Sequence, residues 1–398
     1  MRKLQGASHR ALFYSHDTLG LGHLRRTLLL AQGLHERLDN LNTLVLTGSA
    51  MAHGFRIEPS IDYVKLPSVQ KVGDESYASR TLDTPFDHVL EMRQELILTT
   101  ARTYRPDMLF VDNVPLGMKG EMVGTLRDIR ANNPNCRIIL TLRDVIDAPD
   151  RVIPLWRKLG VFDALEHYYD AICVYGHRQV YDVAEEYNFP RNIREKTHYC
   201  GHLPRLVDPR ARAEVRRGLG LDDGDNLVVA TVGGGSDGAK LIEAFLKALP
   251  LLSRHNTRGI VLLGPDMEAG QRASFRDFSQ NSDVRLMDFT PEPLRLFSAA
   301  DAIVSMGGYN TVSEILALEK RAVVVPRVEP RVEQLLRCQR LQRMNLLRMV
   351  HPEQLTPERL AGELDESLSQ HHPSATHGLC LVVSTNCCAS SVSRNARV

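Results

Sequence analysis

Short apolar runs bounded by polar and glycine-bearing stretches alternate along this chain with longer segments whose leucines and other apolar residues recur at helical spacing. That alternation predicts a parallel α/β architecture, because buried parallel strands read as near-continuous apolar runs and each crossover needs a helix. In the first half the candidate strands are ALFYS (11–15), NTLVLT (42–47), MLFVD (108–112), RIILTL (137–142) and AICVY (171–175). HLRRTLLLAQGLHERL, from His23, is a helical segment between the first two. The second half repeats the theme with NLVVATV, GIVLLG, VRLMDF, AIVSM and AVVVP. Two units of similar design are expected, with the division near Val207, where Pro204 and Pro209 interrupt regular structure. The expected domains are residues 1–207 and 208–372, followed by an atypical tail, 373–398, rich in Ser and Cys.

Length and composition agree with two domains: 398 residues with 43% hydrophobic content exceed what one ordinary core holds. Forty-nine Lys and Arg against 48 Asp and Glu create no global field of the kind that draws a protein to nucleic acid. The seven cysteines show no CxxC pair and no zinc spacing, and Cys380, Cys387 and Cys388 lie in the tail, which suits free thiols in a reducing compartment. No stretch approaches the roughly 18 apolar residues that would span a bilayer, and the N-terminus lacks the pattern of a signal or transit peptide. A cytoplasmic protein is expected, with room for peripheral contact with a membrane surface.

In each half the first strand runs into a glycine-bearing loop that opens a helix: SHDTLGLGHLRR at Gly20 and Gly22, and TVGGGSDGAKLIEAF from Gly233 to Gly238. Such loops bring backbone N–H groups and a helix start close to an anion such as a diphosphate. A P-loop is rejected, because Gly238-Ala239-Lys240-Leu241 has neither the lysine register nor the magnesium-binding hydroxyl. A dinucleotide fingerprint matches formally as Gly233-x-Gly235-x-x-Gly238, with Asp266 beyond the next strand for a ribose. A tight strand-to-helix turn without ligand explains the same residues. The stretch VSMGGYNTVSEILALEKRAVVVPR (304–327) adds a Gly307-Gly308 turn and Glu314, a carboxylate able to accept two hydrogen bonds from a ribose diol. The bland alternative for Glu314 is an acidic residue near a helix start, favoured by the dipole.

SMGGYNTVSEILALEKRAVVVPRVEPRVEQ, together with GGGSDGAK and HDTLGLGH, resembles the GT-B glycosyltransferases related to the enzyme that adds N-acetylglucosamine to the lipid-linked peptidoglycan precursor. The likeness runs from about Ala11 to about Leu368 and is strongest between Gly233 and Gln342. It implies a GT-B fold, two Rossmann-like domains facing each other across a cleft. By the same resemblance Glu314 would hold the ribose of UDP, Gly234, Gly235 and Ser236 the diphosphate, and Gly307 and Gly308 would admit the backbone close to the donor. Phe289 and Thr290 would lie where the family reads the uracil edge, and Arg205 where it contacts phosphate. Glu333 and Gln334 stand where the family usually has a glutamine pair on the donor sugar, the first of which is changed here. His23 follows the N-terminal glycine loop as a histidine does in the family.

The implied reaction is inverting transfer from a nucleoside-diphosphate sugar, with UDP expected, to a hydroxyl acceptor on a glycan, lipid or small molecule. No cofactor is expected and, with no DxD pair placed for magnesium, no metal. His23, Asp112 and Asp144 are the candidate bases, each at a predicted strand end or helix start facing the cleft, and Asp17 is a weaker fourth. HRALF and HLRR supply cations that an exposed surface would simply solvate. A nucleotide-sugar epimerase or hydrolase, a non-catalytic nucleotide-sugar sensor and, more distantly, an NAD-dependent oxidoreductase would share parts of this pattern.

Overall fold

The computed structural model describes residues 8–17, 22–50, 52, 59–73, 76–202, 207–235, 237–254, 256–279, 283–290 and 292–370. Arg205, Ser236, Gly20 and the tail expected at 373–398 lie outside the described residues.

Fifteen strands occur among the described residues: β1 (His9–Ser15), β2 (Leu41–Thr47), β3 (Ile61–Lys65), β4 (Val69–Gly73), β5 (Ser76–Ser79), β6 (Met108–Asp112), β7 (Arg137–Arg143), β8 (Ala171–Tyr175), β9 (Thr197–Tyr199), β10 (Asn226–Thr231), β11 (Thr257–Leu262), β12 (Val284–Met287), β13 (Ala302–Ser305), β14 (Arg321–Val324) and β15 (Arg348–Met349). Apart from the antiparallel hairpin β4–β5, they form two parallel sheets, ordered β3-β2-β1-β6-β7-β8-β9 and β12-β11-β10-β13-β14-β15. In each, the first strand of the unit lies centrally and the order reverses beside it, so a switch point falls between β1 and β6 and another between β10 and β13.

Every interior strand is buried on both faces, which is why its sequence reads as an unbroken apolar run. In β1, Leu12 and Tyr14 face one layer while Ala11 and Phe13 face the other. In β10, Val228 and Ala230 oppose Leu227 and Val229 in the same way. The helix Gly22–His35 buries Leu24, Leu28, Ala31 and Leu34 on the Phe13 side of the first sheet. The helix Pro357–Ser369 buries Leu360, Leu364 and Leu368 against the second sheet, so the last described helix packs on its own unit.

The first sheet ends at Tyr199, and the helix Ala211–Gly218 already belongs to the second unit, where Arg212 and Arg216 pair with Asp301. Direct bonds join the two units. Arg337 makes a two-pronged contact with Asp144 (2.6 and 2.7 Å), Arg340 pairs with Glu186 (2.6 Å), Val332 N–H donates to Asp147 Oδ1 (3.0 Å) and Arg151 donates to the Pro330 carbonyl (2.8 Å). Gly22 and Asn310 approach so closely that a Cβ on Gly22 would lie 2.9 Å from Asn310 Nδ2. The carboxyl edges of the two sheets therefore meet across a closed cleft.

Candidate active site

On the first unit the site grows from the ends of β1 and β6. The helix that begins at Gly22 places His23 and Arg26 three residues apart, on one face. Both turn to Asp112, the last residue of β6: His23 Nδ1 bonds Oδ2 in a short contact, and Arg26 Nη2 donates to Oδ1 at 3.3 Å. Arg26 Nη2 also lies 2.9 Å from His23 Nδ1. Nδ1 cannot both accept from Arg26 and donate to Asp112, and the ionised carboxylate is the stronger partner. Nδ1 therefore carries the proton and Nε2 keeps its lone pair.

Burial alone would raise the Asp112 carboxyl, but Arg26 and His23 hold it well below the usual carboxylate range. Burial pushes His23 below the ordinary histidine value, with Asp112 working against that shift and Arg26 adding to it. His16, whose ring stands edge-on to His23 at 5.5 Å, is driven by burial and by His23 down to about 3 and is neutral. Asp17 receives the Thr47 hydroxyl, while burial raises its carboxyl. Behind Asp112 lies a cavity of about 10 Å³, room for a single water, lined by Arg26, Asp112, Thr141 and Tyr175 among others.

Three expectations change here. Asp112 and His23 were alternatives as base; the structure brings them together as one dyad. Asp144, the third candidate, gives both oxygens to Arg337, which is 1% exposed, and Oδ1 also accepts from Val145 N–H, so the carboxylate is committed to a buried pair; it is held down by Arg337 against the effect of burial. Arg26, expected as a solvated surface cation within HLRR, is 5% exposed and committed to Asp112.

On the second unit the glycine loop leaves β10. Gly233 and Gly235 have φ of 65° and 98°, the left-handed region that favours glycine. A Cβ on Gly235 would stand 2.3 Å from the Leu263 carbonyl oxygen, and one on Gly234 2.8 Å from Asp266 Oδ2. The loop is thus folded tightly onto the exit of β11, with Asp266 packed against it. After β13, Gly308 caps the helix Tyr309–Ala317 with no side chain bonding the first turn, and a Cβ there would meet nothing within 4 Å. Gly307 is packed instead, since its Cβ would lie 2.7 Å from Cys338 Sγ.

Glu314 sits in the second turn of that helix, whose first turn holds no acidic residue, so the dipole explanation for it loses its basis. Glu333 and Gln334 open the helix Glu333–Arg343. Glu333 is 5% exposed and receives Arg327 (2.9 Å) on Oε1, while Oε2 is buried without a partner among the described residues. Gln334 Oε1 accepts from Arg327 N–H at 3.0 Å. Phe289 and Thr290 lie just past β12, with Phe289 53% exposed.

Residues that sequence reasoning did not single out tie the halves together. Tyr309, at the helix start of the second unit, packs into the apolar cluster of the first unit, with the Arg26 and Arg337 guanidiniums 5.6 and 5.7 Å from its ring centre. His202 Nδ1 donates to Ser313 Oγ (3.0 Å), which itself donates to the Tyr309 carbonyl. The i, i+3 spacing of His23 and Arg26 was the one local signal; the others depend on contacts between units far apart in sequence. Among the described residues no group of three or more His, Cys, Asp or Glu could hold a metal ion, and no helix is long and apolar enough to cross a membrane.

Two doubly wound parallel sheets meeting at their carboxyl edges define the GT-B fold, and comparison with solved structures agrees. MurG of Acinetobacter baumannii superposes with a TM-score of 0.57 over 94% of this chain and 99% of that one, at 14% identity. In sequence, residues 229–380 match the glycosyltransferase family 28 C-terminal domain. An uncharacterized glycosyltransferase of Methanopyrus kandleri is 25% identical over 162 residues, 41% of this chain and 44% of the relative. The UDP-N-acetylglucosamine--N-acetylmuramyl-(pentapeptide) pyrophosphoryl-undecaprenol N-acetylglucosamine transferase of Lactococcus lactis is 25% identical over 146 residues, 37% of this chain and 38% of the relative. These matches span roughly two fifths of the relatives' length. The chain therefore has the GT-B fold, and its second unit is similar to the glycosyltransferase family 28 C-terminal domain.

Proposed function

We propose that this protein transfers a sugar from a nucleoside-diphosphate donor, UDP-linked, to a hydroxyl acceptor, with inversion and without a metal. The observation that carries the reading is the His23–Asp112 dyad, seated on one face of the cleft opposite the uncapped helix start of the family 28 domain. Asp112 fixes the imidazole tautomer and favours the imidazolium that forms, so Nε2 takes the proton of the acceptor hydroxyl. The hydroxyl oxygen bonds to the anomeric carbon as the bond from that carbon to the diphosphate oxygen breaks, and the electron pair leaves with UDP. Backbone N–H groups at Gly308–Tyr309 and in the 233–235 loop are suited to the growing diphosphate charge, Glu314 to the ribose, and Glu333 with Gln334 to hydroxyls of the donor sugar. The acceptor belongs to the first unit, and peripheral contact with a membrane would present a lipid-borne one.

The test is UDP release from a panel of UDP-hexoses and UDP-N-acetylhexosamines, with and without hydroxyl acceptors. Acceptor-dependent release that His23→Ala cuts by about a hundredfold or more supports the reading. Free sugar released equally without acceptor would point to a hydrolase.

A further inference from the structure

Among the described residues, Arg143 is a cation of the cleft that makes no salt bridge. Arg143 ends β7, two residues after Thr141, which pairs with Asp112 across β6 and β7. Alternation along the strand puts Thr141 and Arg143 on the same face of the sheet, the face that carries Arg26 and the helix Gly22–His35, and turns Asp144 the other way. Asn113, held with a φ of 63° and its N–H on the Thr141 carbonyl (2.7 Å), accepts from Arg143 Nε through Oδ1 at 3.2 Å. Among the described residues the two terminal nitrogens of Arg143 have no hydrogen-bond partner and no salt bridge.

The neighbouring carboxylates are already engaged. Asp112 is held by His23 and Arg26, Asp144 by Arg337, and Glu333 by Arg327. Charges from both units, Arg26 and Asp112 on the first and Glu333 and Arg337 on the second, act on Arg143. Burial and the nearby Arg26 bring its pKa down to about 10, so it stays charged at neutral pH. A guanidinium anchored by its Nε and left with two terminal nitrogens is a fork for two oxygens of one anion.

We infer that Arg143 is an oxyanion-binding side chain of the cleft and takes a phosphate or carboxylate of the substrate, either the donor's diphosphate, beside the backbone N–H groups, or an anionic group borne by the acceptor. The inference rests on the cleft being the active site proposed above. Position beside the dyad gives it a second consequence: an acceptor whose hydroxyl reaches His23 brings its own charge within reach of Arg143.

Calorimetric titration of the full chain tests it with Arg143→Gln, which keeps a polar amide but removes the charge and the fork, and Arg143→Lys, which keeps the charge and loses the fork. UDP and inorganic pyrophosphate are titrated separately, and pyrophosphate again on protein saturated with UDP. At least a tenfold weakening in Arg143→Gln, with Arg143→Lys between it and wild type and an unchanged ligand-free melting temperature, is expected. A loss confined to UDP and to the pyrophosphate that competes with it assigns the donor diphosphate. Unchanged UDP affinity, with loss of pyrophosphate binding to the UDP-saturated protein, assigns the acceptor anion. If Arg143→Gln binds both ligands as wild type does, or if pyrophosphate binds wild type in neither form and UDP affinity is indifferent to the substitution, the inference is overturned. Failure of any nucleotide to bind wild type would instead count against the transferase reading, while pyrophosphate on the ligand-free protein would still read Arg143.

Discussion

His23 illustrates how a side chain's chemistry depends on what lies beneath it. An imidazole at a helix start is an ordinary sight; one whose Nδ1 is held by a buried carboxylate has a defined tautomer and an oriented lone pair. Asp112→Asn should therefore reduce turnover by about a hundredfold or more while leaving nucleotide affinity near wild type, a split between kcat and KM that steady-state kinetics will read. The pH profile follows from the same contacts. The base works in its neutral form, so the acid limb of kcat/KM should lie below the ordinary histidine value of about 6.5. Because Asp112 raises the His23 pKa, Asp112→Asn should move that limb further down, and an upward move would contradict the assignment. His23, Asp112 and Glu314 were legible as residues of interest from their places after strands and glycines. Their partners were not: Arg26 reads as a surface cation until the strand carrying Asp112 is placed beside β1, 86 residues away in sequence from the arginine.

At the scale of elements, most of the architecture stood in the apolar runs. The interior strands β1, β6, β7, β8, β10 and β13 were legible because burial on both faces leaves no polar alternation to obscure them. Strands β3, β9 and β15 were not, being edge strands with half-exposed, polar-rich sequences such as IDYVK and THY. The glycine loops separate two uses of glycine. Gly235→Ala forces a Cβ toward the Leu263 carbonyl at a left-handed φ, and should destabilise the fold by about 2 kcal/mol or more in urea denaturation. Gly308→Ala, with φ of −62° and open space around it, should cost less than about 1 kcal/mol. A loss of UDP binding in Gly308→Ala would then report a ligand's need for that space, not a damaged fold.

Across the whole molecule, the contact between units centres on the Asp144–Arg337 pair with Tyr309 packed into the first unit's apolar cluster, and the pair was illegible in sequence because the two residues are 193 positions apart. Arg337 also donates to the Gly307 carbonyl (2.7 Å), so the same guanidinium joins the first unit to the turn that precedes the Tyr309–Ala317 helix. Arg337→Met strands a buried carboxylate and should cost roughly 3–5 kcal/mol, with part of the loss recovered when Asp144→Asn is added. Stability should also fall in acid. His202 is pushed by burial to about 4, so between about 6.5 and 4 the unfolded chain binds a proton that the folded one does not, and stability is lost as pH drops through that window. Urea midpoints across it should decline, and less steeply in His202→Gln.

The claim on which the rest depends is that the second unit holds a nucleoside diphosphate through Glu314, and thermal melts with UDP and NAD on wild type and Glu314→Ala test it most directly. The account predicts that UDP stabilises wild type, by about 2.7 kcal/mol at a hundredfold excess over its Kd, that NAD does not, and that Glu314→Ala loses most of the effect. Stabilisation by NAD alone, or a UDP shift that Glu314→Ala leaves intact, would contradict it.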